Sequence, residues 1–137
     1  MVKLIVGPKG TGKTKFLVEQ VKHAAEVENG CVICLEKDKN LTYDIPYTVR
    51  LIHASDYRFS TTEFFMGFIS GLHAANYDIT HVFIDNFFKM FKEQQDLGKI
   101  EVLLAELEAF GRKENIKFTI SATADPETIG ENIRKYI

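Results

Sequence analysis

The chain has 137 residues, of which 45% are hydrophobic and 26% are charged, and its formal net charge at pH 7 is −2. This composition excludes a disordered chain and a disulfide scaffold, and the length is that of one domain, residues 1–137. The charge balance provides no basic field for nucleic acid, and no apolar run approaches the ~18 residues that span a bilayer. We therefore expect a cytoplasmic protein with neither membrane nor nucleic acid as a partner.

Short apolar segments alternate with amphipathic segments along the whole chain, which predicts alternating strands and helices. Strands are expected over 2–6, 31–35, 48–53, 81–84 and 117–121. Helices are expected over 13–28, from the capping hydroxyls at 60–62 to about 75, and over about 99–114, with a separate turn over 86–95. Asp125 is expected to cap a final helix that has Pro126 at its first position.

This alternation predicts parallel strands joined by helical crossovers. The expected fold class is α/β, a three-layer α/β/α sandwich around a five-stranded parallel sheet. Binding sites in such sheets lie at the carboxyl ends of the strands. Candidate functional residues are therefore sought directly after each predicted strand.

The only two cysteines, Cys31 and Cys34, form a C-x-x-C motif within a predicted strand. Residues three apart on a strand point to opposite faces, so these thiols cannot easily share a metal or form a disulfide. We interpret both as core residues.

The first predicted strand runs directly into a glycine-rich segment with the spacing G-x-x-x-x-G-K-[ST] of a phosphate-binding loop. Its glycines allow backbone N–H groups to point at an anion, and the following helix adds its N-terminal dipole. The lysine is expected to reach the β- and γ-phosphates, and the final threonine to offer its hydroxyl to Mg²⁺. The segment reads Gly7, Pro8, Lys9, Gly10, Thr11, Gly12, Lys13 and Thr14.

The strand over 81–84 ends in Asp85, a carboxylate at the point where a phosphate-loop protein needs one to hold Mg²⁺. The alternative is a helix cap. The next residue is Asn86, where many ATP hydrolases of this type place a glutamate that activates water. An amide can orient a water molecule, but it cannot accept a proton from it.

Two further strand ends carry polar candidates. Glu36 and Asp38 follow the second strand and are candidates for orienting the attacking water, or they form a solvated charged turn. Ser121 and Thr123 lie at the end of the fifth strand. Their hydroxyls are either sensors of the γ-phosphate or ordinary loop residues.

Four large apolar residues follow Asp85 closely and cannot all face inward on one helix. We therefore expect that they either belong to the core or form a patch that faces a partner. They are Phe87, Phe88, Met90 and Phe91.

Together these motifs resemble the P-loop NTPases, and among them the RecA-like ATPases. The chain is also similar to short bacterial ATP-binding P-loop proteins, some of which are labelled after twitching-motility ATPases. The resemblance implies the strand order 48–53, 31–35, 81–85, 117–121, 2–6. It also implies that an acidic residue after the second strand, Glu36 or Asp38, polarises the attacking water. An isolated core of this kind usually lacks one residue of its site, often an arginine from a neighbouring subunit.

The expected function is binding of MgATP, with Lys13 acting on the phosphates and Thr14 and Asp85 holding Mg²⁺, and with weak hydrolysis that needs self-assembly or a protein partner. The chain has no N-K-x-D motif for guanine and no arginine-rich kinase lid. The alternatives are a nucleotide-sensing module that does not hydrolyse ATP and, with less support, a small-molecule kinase.

Overall fold

Five strands form one parallel sheet at the centre of the computed structural model, which describes residues 1–92 and 96–137. Within these residues, four helices flank the sheet: α1 (Lys13–Val27), α2 (Thr62–Ala75), α3 (Leu97–Glu114) and α4 (Glu131–Arg134). Short 3₁₀ turns cover Ala54–Asp56 and Phe87–Met90. The strands are β1 (Val2–Gly7), β2 (Cys31–Glu36), β3 (Arg50–His53), β4 (Ile79–Ile84) and β5 (Lys117–Thr123).

The strand order across the sheet is β1-β5-β4-β2-β3, and every pairing is parallel. This is the order that the resemblance implied, read from the opposite edge. It places the end of β5 between the end of β1 and the end of β4. Gly7 pairs with Thr123 at the last position of the β1–β5 register, so the glycine-rich loop begins beside the end of β5.

Two hydrophobic clusters lie on opposite faces of the sheet, as alternation along buried strands requires. On β2, Ile33 and Leu35 pack with α2, α3 and α4, whereas Val32 and Cys34 pack with α1. Both faces are therefore covered by helices, consistent with the three-layer α/β/α arrangement. Cys31 packs against the first cluster and Cys34 belongs to the second, which confirms that the two thiols point to opposite faces.

The outer edge of β1 is covered by other parts of the same chain. The backbone N–H of Val2 donates to a carboxylate oxygen of Glu108 at 2.6 Å. The N–H of Leu4 donates to the carbonyl oxygen of Tyr136 at 2.8 Å. Edge donors that would otherwise be free are thus satisfied by α3 and by the segment after α4.

The predicted elements agree with the structure except near the C-terminus and after β4. The hydroxyl of Thr61 accepts from the N–H of Phe64, confirming the predicted cap of α2. The predicted helix at Asp125 and Pro126 is wrong, because Asp125 accepts from the N–H of Glu127 in a turn and α4 begins only at Glu131. The turn predicted over 86–95 is a 3₁₀ turn as far as Met90, and residues 93–95 lie outside the described residues.

No helix within 1–92 or 96–137 is both long enough and apolar enough to cross a membrane.

Candidate functional site

The glycine-rich loop joins β1 to α1 and depends on two glycines with left-handed backbones. Gly10 has a φ of 83° and Gly12 a φ of 81°, values that residues with a Cβ rarely adopt. Gly12 is also the N-cap of α1, and its carbonyl accepts from the N–H of Phe16. The sharp turn therefore delivers the chain directly into the helix N-terminus, where unpaired N–H groups favour an anion.

Lys13 lies folded across the loop and is largely buried. Its Nζ donates to the carbonyl oxygen of Pro8 at 2.7 Å and lies 3.5 Å from Oγ1 of Thr11. The Thr11 hydroxyl donates to the same carbonyl at 2.8 Å. The ammonium group is thus held over the concave side of the loop by contacts within the loop itself.

Thr14 and Asp85 come together although 71 positions separate them in the chain. The Thr14 hydroxyl lies 3.1 Å from Oδ1 and 3.2 Å from Oδ2 of Asp85, whose side chain is 4% exposed. These are hard oxygen donors, the type that Mg²⁺ prefers, and Mg²⁺ usually takes few protein ligands beside water and substrate phosphates. The Thr14–Asp85 pair therefore fits Mg²⁺. A different kind of site, a cluster of three or more His, Cys, Asp or Glu side chains able to hold a metal, does not occur among the described residues.

Ser121 connects the end of β5 to the residues after β4. Its Oγ donates to Oδ1 of Asp85 and accepts from the backbone N–H of Asn86 at 3.1 Å. It is 1% exposed and is not among the residues that line the cavity at the loop, whereas Thr123 is. In this geometry Ser121 orients Asp85, and Thr123 is the strand-end hydroxyl that faces the cavity.

A cavity of ≈ 290 Å³ opens on the loop, close to the lower end of the range for small-molecule sites, ~300–1,000 Å³. It is lined by lysines from the loop and α1, by Thr14 and Thr123, and by two residues that follow Asp85. None of the described lining residues is a carboxylate. The lining residues are Lys9, Gly10, Gly12, Lys13, Thr14, Lys15, Asn86, Lys89 and Thr123.

The structure places Glu36 and Asp38 outside this cavity. Glu36 is 2% exposed, and its carboxylate accepts from the N–H groups of Asn40 and Leu41 at 2.8–3.2 Å. Nδ1 of His53 lies 3.2 Å from the same carboxylate. Asp38 is exposed on the loop that follows. The carboxylate of Glu36 therefore stabilises the loop that follows β2 by accepting hydrogen bonds from its backbone.

All four large apolar residues after Asp85 are buried, so the core interpretation is confirmed and the partner-facing patch is wrong. The expectation assumed an α-helix, in which four such residues would circle the axis. The chain instead makes a single 3₁₀ turn and then extends at Phe91, which allows all four to face the core. The residues are Phe87, Phe88, Met90 and Phe91.

Sequence reasoning missed Lys89. It stands among these four buried side chains, yet it is exposed and lines the cavity. The available signal was one cation in an otherwise apolar run just after Asp85, a pattern that is informative only once the turn geometry is known.

Cys34 lies within β2 and is fully buried, so it is not accessible as a nucleophile. Burial, together with the nearby charges of Asp85 and Glu36, raises the pKa of its thiol to about 12. The thiolate, which is the reactive form, is therefore not populated at neutral pH.

A larger cavity of ≈ 600 Å³ lies between α2 and α3. Its walls include Met66, Val102 and Leu103, and it contains none of the residues predicted for phosphate or metal binding.

No model of a known protein family matches this chain, and no curated protein matches it.

Proposed function

We propose that this protein is a P-loop NTPase of the RecA-like type that binds MgATP. The observation that carries the proposal is the contact between the Thr14 hydroxyl and the Asp85 carboxylate, which joins the end of the phosphate loop to the end of β4. The loop spacing and the β1-β5-β4-β2-β3 order support the same conclusion. A strand that ends in an aspartate is not specific by itself, because such strands are common, and its contact with the last residue of the loop motif is what makes Asp85 informative.

In the proposed complex, the backbone N–H groups of the loop and of the α1 N-terminus surround the phosphates. Lys13 exchanges its bond to the Pro8 carbonyl for the β- and γ-phosphate oxygens. Thr14 and Asp85 would hold Mg²⁺, and Ser121 would keep the Asp85 carboxylate oriented. The metal neutralises charge on the phosphates when it is bound.

Hydrolysis by the isolated chain is proposed to be slow. Among the described residues that line the cavity, none can accept a proton from water as a carboxylate would. Asn86 can orient a water molecule, and Glu36 is engaged with Asn40, Leu41 and His53. A second copy of the chain or a protein partner would supply the missing group.

A second candidate is a nucleotide-sensing module that binds MgATP without turnover. The amide of Asn86 at the position after Asp85, together with the engaged Glu36 carboxylate, favours it. The two candidates share the binding step and differ only in phosphate release.

The test measures MgATP binding and phosphate release for the wild type and for Lys13→Ala over a range of protein concentrations. Lys22→Ala, on the exposed side of α1, is the matched control. Binding that is lost in Lys13→Ala and retained in Lys22→Ala supports the proposal, and release per molecule that rises with concentration supports assembly. Binding without release at any concentration selects the sensing module. Wild-type protein that binds no nucleotide would contradict both.

A further inference from the structure

Lys89 is held at the phosphate-loop cavity by a turn whose other side chains are buried. Phe87 and Phe88 precede it and Met90 and Phe91 follow it, and none of these four is more than 9% exposed. The Phe87 ring contacts Phe91 with a centroid distance of 5.1 Å, and both rings contact Phe65 of α2 at 5.4–5.5 Å. The turn is thus packed into the core, and Lys89 is the residue of this run that faces the cavity.

The position of the turn along the chain links Lys89 to the strand end that carries Asp85. The turn begins one residue after Asp85, where Asn86 adopts a left-handed backbone with a φ of 55°. The N–H of Lys89 donates to the carbonyl of Asn86 at 3.1 Å, which closes the turn. The N–H of Asn86 is in turn bound to Ser121. Asp85 and Lys89 therefore belong to one hydrogen-bonded segment.

The cavity is strongly basic although the chain carries a net charge of −2. Lys9, Lys13 and Lys15 belong to the phosphate loop and the first turn of α1. Lys89 is the lysine among the described lining residues that comes from a different strand end. It can therefore approach a bound anion from a side that the loop does not reach.

We propose that Lys89 binds the terminal phosphate of the nucleoside triphosphate and so distinguishes the triphosphate from the diphosphate. This inference rests on the proposed function. Thr14 and Asp85 are the residues that would hold Mg²⁺ at the terminal phosphates. Lys89 lines the same cavity as Thr14, so its ammonium group would be available to the terminal phosphate. A lysine here acts as a point charge on a flexible stem and needs no exact angular match.

The test compares equilibrium binding of MgATP and MgADP to the wild type, Lys89→Gln and Lys89→Arg. The matched control is Lys92→Gln, an exposed lysine of the same segment that does not line the cavity. Loss of a charge-assisted contact is expected to weaken MgATP binding about tenfold and to change MgADP binding less than about twofold. Lys89→Arg and Lys92→Gln should both bind as the wild type does.

Equal weakening of MgATP and MgADP in Lys89→Gln, or no weakening of either, would overturn the assignment while leaving the proposed function intact. Wild-type protein that binds neither nucleotide would overturn the proposed function itself. Because Lys89 is exposed, the thermal unfolding midpoint of Lys89→Gln should equal that of the wild type, so a binding defect is not a folding defect.

Discussion

Nδ1 of His53 lies 3.2 Å from the Glu36 carboxylate, across the ends of two neighbouring strands. The same nitrogen lies 3.2 Å from the backbone carbonyl oxygen of Asp38. Since both neighbours are acceptors, this nitrogen must carry a proton. Together with the N–H groups of Asn40 and Leu41, the contact ties the loop after β2 to the end of β3. Glu36 thus has a structural task at the position where a catalytic carboxylate was expected.

Replacing Glu36 with Gln should lower the free energy of unfolding by about 1–3 kcal/mol, because an amide cannot satisfy all of these buried donors. Binding of MgATP should remain close to that of the wild type. Urea-induced unfolding and equilibrium nucleotide binding measure the two quantities. Glu26→Gln, on an exposed face of α1, is the control and should leave both unchanged. Unaltered stability combined with lost phosphate release would instead assign Glu36 to the attacking water.

Replacing Ser121 with Ala should both destabilise the protein and weaken metal-dependent nucleotide binding. The substitution leaves the N–H of Asn86 without its partner in a partly buried position, which costs about 1 kcal/mol. Asp85 also loses the hydroxyl that orients it. A Mg²⁺ titration of nucleotide affinity beside thermal unfolding detects the two effects. Ser70→Ala removes an exposed hydroxyl on α2 and should show neither; an unchanged Mg²⁺ dependence in Ser121→Ala would remove Ser121 from the metal site.

Gly12→Ala tests whether the loop requires glycine for its left-handed backbone, because the added Cβ would cause no steric clash. An added Cβ would meet no atom within 4 Å, so the expected cost of about 1–2 kcal/mol comes from the positive φ alone. Gly67→Ala is the matched control, since its Cβ also meets nothing, but it lies within α2. There alanine should stabilise by about 0.5–1 kcal/mol. Denaturant unfolding of both variants gives the comparison, and changes of the same sign would show that the loop does not require glycine.

The unfolding free energy should fall on acidification because of His81. Its ring lies 2.7 Å from Glu28 and 2.8 Å from the Thr119 hydroxyl. Burial lowers the pKa of His81 below its ordinary 6.5, and the hydrogen bond and charge of Glu28 offset this only in part. Below pH 6.5 the unfolded chain therefore binds a proton that the folded chain resists, and folding weakens.

Glu28 should cause a further decrease in the free energy of unfolding at lower pH. Burial alone would raise the pKa of Glu28, but the hydrogen bond from His81 and its other contacts outweigh burial and lower the pKa below 4.5. Stability that this carboxylate provides is thus lost as pH falls below 4.5. Denaturant unfolding between pH 7 and about pH 3 covers both steps. His81→Asn should flatten the upper part of the profile and the exposed control His23→Gln should not; a flat wild-type profile above pH 5 would contradict the assignment to His81.

The elements that sequence reasoning placed correctly are those with strong local signals. The apolar strands, the Thr61 cap and the spacing of residues 7–14 each depend on a few neighbouring residues. The approach of Thr14 to Asp85 was also predictable, because parallel strands bring their carboxyl ends to one edge. Local pattern and sheet topology were sufficient for this part of the site.

The failures occur where a backbone hydrogen bond or tertiary packing overrides the local pattern. Asp125 binds its own turn at Glu127, although the same residue type could equally have capped a helix. Glu36 is engaged by donors from the next loop, which no strand pattern reveals. Lys89 faces the cavity because the large apolar side chains on either side of it are buried in the core. The spacing of residues in the sequence does not by itself predict that packing.

The covered edge of β1 also determines how copies of this chain can associate. Hydrogen bonds at Val2 and Leu4 occupy donors that an incoming strand from another molecule would need. A continuous intermolecular sheet therefore cannot grow from the β1 edge without first displacing Glu108 and Tyr136. The opposite edge, β3, has only four residues, and a strand that short offers little length for pairing. Any higher-order assembly of this protein should accordingly form through side chains and helices and not by pairing of strand edges.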